Sequence, residues 1–111
     1  MIILGKAEEL EELDGLIREN QLVLVQFGAE SCAPCSALRR KITAWNEGHA
    51  QIPYLYIPTE QFPELCAQLG VFTVPTIFVY AEGRLTVRES GYFGLEDLLR
   101  KIERYEEMSL K

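Results

Sequence analysis

Phe27-Gly28-Ala29-Glu30-Ser31-Cys32-Ala33-Pro34-Cys35 joins two patterns of different period. Before it, Leu22 to Phe27 is an apolar run in which only Gln26 is polar. A run that short, rich in Val and Leu, predicts a buried strand. After it, Leu38, Ile42 and Trp45 recur at helical spacing, and Cys35 falls three residues before Leu38 on the same stripe. The helix therefore begins near Cys32 or Ala33. Pro34 suits its first turn, where no backbone N–H is needed.

This placement separates two identical side chains. Cys35 lies on the stripe that faces the sheet and is expected to be buried. Cys32 lies at the helix mouth, where unpaired N–H groups and the helix dipole favour an anion. A thiolate there is expected to have a depressed pKa, and the thiolate is the nucleophile. Two cysteines three positions apart across a helix start are close enough to bridge. The pattern points to a redox dithiol in which Cys32 attacks a partner's disulfide and Cys35 resolves the mixed disulfide. Two other readings compete. Cys66 and His49 would complete a set of four ligands, the number zinc takes. Yet Cys66 lies on the apolar stripe of its own segment, where it acts as a small hydrophobe. His49 lies past the far end of the Cys helix, about 20 Å along its axis from Cys32. An inert structural pair is the other reading, and the helix-mouth position weighs against it.

Outward from this stretch, the chain alternates. Met1 to Leu4 reads as a short strand, and Ala7, Leu10, Leu13 and Ile17 as an amphipathic helix that stops at Asn20. Gly48 ends the Cys helix. Ile52 to Ile57 reads as a strand bounded by prolines. Thr59 is the expected cap of a helix carrying Phe62, Leu65, Cys66 and Leu69, which Gly70 stops. Val74-Pro75-Thr76 leads into a strand from Ile77 to Tyr80. Ala81-Glu82-Gly83 is a hairpin turn, and Arg84 to Glu89 returns as an alternating strand that Gly91 breaks. Leu95, Leu98, Leu99, Ile102 and Tyr105 form a last amphipathic helix. Trp45 falls on an inward stripe, and His49 is expected at the surface. The order β-α-β-α-β-α-β-β-α predicts an α/β fold, a central mixed β-sheet flanked by helices on both faces. The Cys pair falls just past the carboxyl end of a central strand, where open α/β sheets place their sites.

The chain has 111 residues, enough for one domain with its own core, expected to span residues 1–111. With 48% hydrophobic and 25% charged residues it has an ordinary globular composition. A net charge of −6 disfavours nucleic acid and anionic membranes as partners. Met1 to Leu4 is too short for a signal-peptide core, and glutamates follow it. No apolar run approaches the ~20 residues of a membrane span. The expected location is the cytoplasm, where three cysteines suggest catalysis or metal binding rather than structural bridging. The simplest assembly is a monomer.

The run VLVQFGAESCAPC (23–35), with GVFTVPTIFVYAEGRL (70–85) further on, resembles the thioredoxin family. The resemblance spans nearly the whole chain and implies a thioredoxin-like fold. It implies a thiol–disulfide oxidoreductase acting on protein disulfides through Cys32 and Cys35, in electron transport and cell redox homeostasis. It implies no prosthetic group, because the dithiol is itself the redox centre. The family's usual electron donor is a thioredoxin reductase, a flavin-dependent enzyme that consumes NADPH. In the family the proline matching Pro75 is cis and packs against the Cys pair. Val74 would then offer its backbone to the bound partner strand, with Ala33, Pro34 and Gly91 on the same substrate face. The chain also departs from the family. Gln26 stands where thioredoxins carry a buried aspartate, and Tyr54 where they carry its lysine partner. Gly28 and Ser31 replace two flanking tryptophans, and Ala33 a glycine. Gln26 cannot titrate, so a slower or more selective enzyme is expected. A peptide-binding module with little turnover is the alternative.

Overall fold

Strands and helices alternate in the computed structural model of the chain, which describes residues 2–3 and 10–109. In order they are β1 (Ile2–Ile3), α1 (Leu10–Glu19), β2 (Leu22–Gly28), α2 (Ala33–Glu47), β3 (Tyr54–Pro58), α3 (Pro63–Leu69), β4 (Thr76–Ala81), β5 (Arg84–Ser90) and α4 (Leu95–Ser109). The five strands form one sheet in the order β1-β3-β2-β4-β5. β1, β3 and β2 run parallel, while β4 and β5 are antiparallel to their neighbours. Of the expectation for Met1 to Leu4, the strand at Ile2–Ile3 is present, and Met1, Leu4 and Ala7 lie outside the described residues.

β2 is central and buried along its whole length, as a strand covered on both faces should be. Its side chains alternate between two cores. Val23, Val25 and Phe27 pack with Leu13 of α1 and Cys66 of α3. Leu22 and Leu24 pack on the other face with Ile42 of α2 and with Leu98 and Ile102 of α4. Helices therefore cover both faces. Phe27 meets Phe78 edge to face at 5.0 Å, a favoured aromatic geometry. β5 is an edge strand in which only Val87 is buried. It is joined to β4 by a two-residue turn, with Glu82 at φ 53° and Gly83 at φ 80°, the left-handed pair that matches strand twist.

Two boundaries differ from expectation by more than one residue. β3 begins at Tyr54 rather than Ile52. Ile52 is buried by a turn, not a ladder: its N–H donates to the His49 carbonyl at 3.0 Å, and the Asn46 amide donates to the Ile52 carbonyl at 2.9 Å. An apolar run reports burial and leaves the backbone conformation open. Thr59 does not cap α3. It opens a short 3-10 turn, Thr59–Gln61, and its carbonyl accepts from the Phe62 N–H at 3.1 Å. Phe62 is the cap residue, followed by Pro63 in the first turn. Proline pre-sets the first helical φ and drives the residue before it out of the helical region, so Pro63 places the boundary. Gly70 does stop α3, in the left-handed region at φ 71°. Gly48 follows α2 in a right-handed conformation, φ −86°, so it needs no glycine-specific geometry.

Gly28, the last residue of β2, is required by its neighbour. A Cβ there would collide with the Tyr56 hydroxyl and lie 2.8 Å from two of its ring carbons. The Tyr56 ring is buried, with the Arg39 guanidinium 4.8 Å from its centroid, so it has little room to yield. Gly28→Ala is expected to destabilise the fold by about 1–3 kcal/mol through overpacking. In a Tyr56→Ala background the same change should cost less. Chemical denaturation of the four proteins of this cycle measures the coupling; an unchanged cost would contradict the steric account.

Candidate active site

The turn after β2 carries the chain straight into α2. The Cys32 N–H donates to the Ala29 carbonyl at 3.1 Å, closing the turn. Cys32 is then the N-cap of α2, in extended conformation, and Pro34 lies in the first turn. The Cys32 sulfur accepts from the Cys35 N–H at 3.1 Å, one of the donors a helix start leaves unpaired. Cys32 and Cys35 are joined in a disulfide, with Cα atoms 5.2 Å apart. Cys35 is fully buried while Cys32 is half-exposed, the asymmetry the helical stripe predicts.

Beneath Cys35 a polar pair crosses the sheet. Gln26 is fully buried on the central strand, and its Nε2 donates to the Cys35 carbonyl at 2.9 Å. The Tyr54 hydroxyl donates to Gln26 Oε1. The directions are forced: a carbonyl can only accept, so the amide NH2 faces Cys35 and the amide oxygen faces Tyr54. Burial is the largest influence on the Tyr54 hydroxyl and pushes its pKa well above the usual value, with Arg39 opposing. Neither member of this pair ionises near neutral pH. The Gln26 and Tyr54 positions read from the sequence thus lie together under the Cys pair.

A second element meets the first from across the sheet. The Val74–Pro75 peptide bond is cis. The Thr76 hydroxyl donates to the Thr73 carbonyl at 2.7 Å and lies 3.0 Å from the Ser90 hydroxyl, which ties the loop to β5. The Gly91 N–H donates to the Pro75 carbonyl at 3.0 Å, and Gly91 turns the chain at φ 70°. Pro34, Pro75 and Gly91 line one open groove of about 700 Å³. Ala33 is exposed on the first turn of α2, and Val74 is half-buried beside Pro75. Leu38 and Tyr92 also line the groove. Tyr92 is not among the residues expected from the sequence, although its place in Gly91-Tyr92-Phe93-Gly94, an aromatic pair between two glycines, is a visible signal.

The other candidates lie elsewhere. Cys66 is a free, buried thiol in the α1/α3 core, with its pKa raised by burial. His49, expected at the surface, is half-buried. Its ring stacks on Trp45 at 4.2 Å, and its Nδ1 lies 2.8 Å from the Glu106 carboxylate. It ties the end of α2 to α4, because α4 packs over that end. Among the described residues no helix is long and apolar enough to cross a membrane.

A model of the thioredoxin family matches residues 6–104. Thioredoxin from Chlamydia muridarum is 31% identical over 88 residues, covering 77% of this chain and 83% of that protein. Thioredoxin-1 of Schizosaccharomyces pombe is 26% identical over 78 residues, covering 70% of this chain and 76% of that one. The solved structure of Fasciola hepatica thioredoxin superposes with a TM-score of 0.80 at 27% identity, covering 95% of this chain and 99% of that one.

The Gln26–Tyr54 pair gives a test of how Cys35 is served. Gln26→Asp places a carboxyl where burial raises its pKa above the ordinary value of about 4. Its folded pKa then exceeds its unfolded one, so stability relative to the parent falls as pH rises from about 4 through the folded pKa. The rate of mixed-disulfide resolution should gain a pH dependence over the same window. Stopped-flow resolution kinetics from pH 5 to 9 check this; an unchanged profile would remove Gln26 from the proton-transfer position.

Proposed function

The chain belongs to the thioredoxin family and is a thiol–disulfide oxidoreductase, and on that premise we propose that it reduces disulfides in other proteins through Cys32. The observation that supports this most is the division of the pair: Cys32 caps α2 half-exposed while its bonded partner Cys35 is wholly buried. In the reduced protein the α2 N-terminus favours the Cys32 thiolate. That thiolate attacks one sulfur of the substrate disulfide. The other substrate sulfur leaves as a thiolate and takes a proton, and a mixed disulfide with Cys32 remains. Cys35 then loses its proton and attacks the Cys32 sulfur. The second substrate sulfur leaves, and the Cys32–Cys35 disulfide forms. Two electrons pass to the substrate, and an external dithiol must return them. A thioredoxin reductase fits that role.

The substrate segment lies along Ala33 and Pro34 and pairs with the backbone of Val74 beside Pro75 and Gly91. Residues 1–111 act as one domain and as a monomer, in the cytoplasm. Gln26 supplies a hydrogen bond to Cys35 but no exchangeable proton in the neutral range. Proton removal from Cys35 then falls to water or to the departing substrate thiolate, which supports a slower or more selective enzyme than a general thioredoxin. The same feature favours a second reading, a peptide-binding module with little turnover.

Cys35→Ser separates the two. Mixed with insulin, a substrate with accessible disulfides, this variant should accumulate a covalent adduct through Cys32. The adduct should run as a larger species on non-reducing gels and vanish with dithiothreitol. Cys32→Ser/Cys35→Ser should form none. If Cys35→Ser also forms none, the exchange reading fails and the binding module takes its place.

A further inference from the structure

The groove that begins at Pro34, between the two bonded cysteines, carries an unusual side chain at its rim. Tyr92 is fully exposed, although its neighbours Gly91 and Phe93 also line the groove. A buried aromatic packs against the core; here the whole ring faces water. Gly91 turns the chain at φ 70°, and an added Cβ there would meet nothing within 4 Å. The backbone conformation, not crowding, calls for glycine. The rest of the near wall, Pro34, Leu38 and Pro75, is apolar. Lys41 and Arg100 share the lining with Glu96 and Asp97, and Arg100 is paired with Asp97 at 2.7 Å. The lining charges cancel, so no field selects a charged side chain.

We propose that Tyr92 is the specificity-determining side chain of this enzyme: it stacks on a large apolar or aromatic residue next to the target cysteine of an extended substrate segment. The inference rests on the exchange reading, because the substrate is held at Cys32 while its flanking residue reaches the groove. The occupant follows from the wall. A tyrosine ring loses little rotamer freedom on contact and presents an apolar face, the character of an interface anchor. Pro34, which lies between the bonded cysteines in the chain, lines the groove, so an extended segment held at Cys32 brings its flanking residue to this wall. Phe72 is also exposed, 81% of it facing solvent, but it sits on the loop before Val74 and outside the groove lining. It serves as a control for the loss of any surface aromatic.

The test uses two peptides, each with one internal disulfide, that differ only in Trp or Ser beside the attacked cysteine. The readout is the second-order rate at which fully reduced protein is oxidised by each. The unmodified protein should prefer the Trp peptide by about tenfold, the scale of one interface anchor. Tyr92→Ala should bring the ratio near one. Tyr92→Phe and Phe72→Ala should both retain it. A ratio unchanged in Tyr92→Ala, or lost equally in Phe72→Ala, overturns the assignment. Hydroxyethyl disulfide separates the two levels of the account. If the unmodified protein reacts with it and yet shows no preference between peptides, the role of Tyr92 alone is overturned. If it reacts with no disulfide at all, the exchange reading is overturned and this inference with it.

Discussion

The hydrogen bond from Gln26 Nε2 to the Cys35 carbonyl ties the middle of the sheet to the first turn of α2. It sits where no water reaches, and an unmade bond to a buried carbonyl or amide costs about 1–3 kcal/mol. The amide can make it in only one orientation, because the Cys35 carbonyl can only accept, and Tyr54 then donates to the amide oxygen. This link fixes the height of Cys35 over β2. Cys35 in turn sets where Cys32 stands, since its N–H donates to the Cys32 sulfur and its own sulfur is bonded there. The redox pair is thus placed by three hydrogen bonds and one covalent bond, all anchored on the most buried strand.

Around that anchor the buried polar groups are neutral. A glutamine and a tyrosine accept and donate without ionising, so the buried layer under the disulfide stays uncharged as the pH changes through neutrality. Desolvation keeps it so, because it pushes the Tyr54 hydroxyl further from ionisation. On the neighbouring strand Tyr56 lies over Gly28, where any side chain at position 28 would begin. An aromatic ring has therefore entered from β3 beside the motif. Tyr92 lines a separate groove, with Pro34, Pro75 and Gly91.

Much of this was legible in the residues alone. The switch from a short apolar run to a helical period across Phe27 to Cys35 placed β2, the turn and α2, and the stripe Cys35, Leu38, Ile42 told which cysteine would be buried. Pro75 in Val74-Pro75-Thr76, together with Gly91, marked the second wall of the groove. What sequence did not reveal depended on contacts between distant segments. The turn at Ile52 is held by the Asn46 amide, and its apolar character fits a strand equally well. Thr59 is a good cap by composition, yet Pro63 four residues later overrides it through backbone sterics. His49 is drawn under α4 by Trp45 and two glutamates more than fifty residues away, a partnership no local pattern carries. The prominence of Tyr92 likewise required knowing that its loop meets the cis proline across the β4–β5 pair.

If Cys32 and Cys35 form a reversible reducing dithiol, their equilibrium potential must be low enough to pass electrons to other disulfides. Equilibrating the protein with defined dithiol–disulfide buffers and counting the oxidised fraction gives that value. A potential near roughly −270 mV, that of thioredoxin, is the predicted result for a reductase. A value near or above about −180 mV, in the range of isomerases and oxidants, would contradict it.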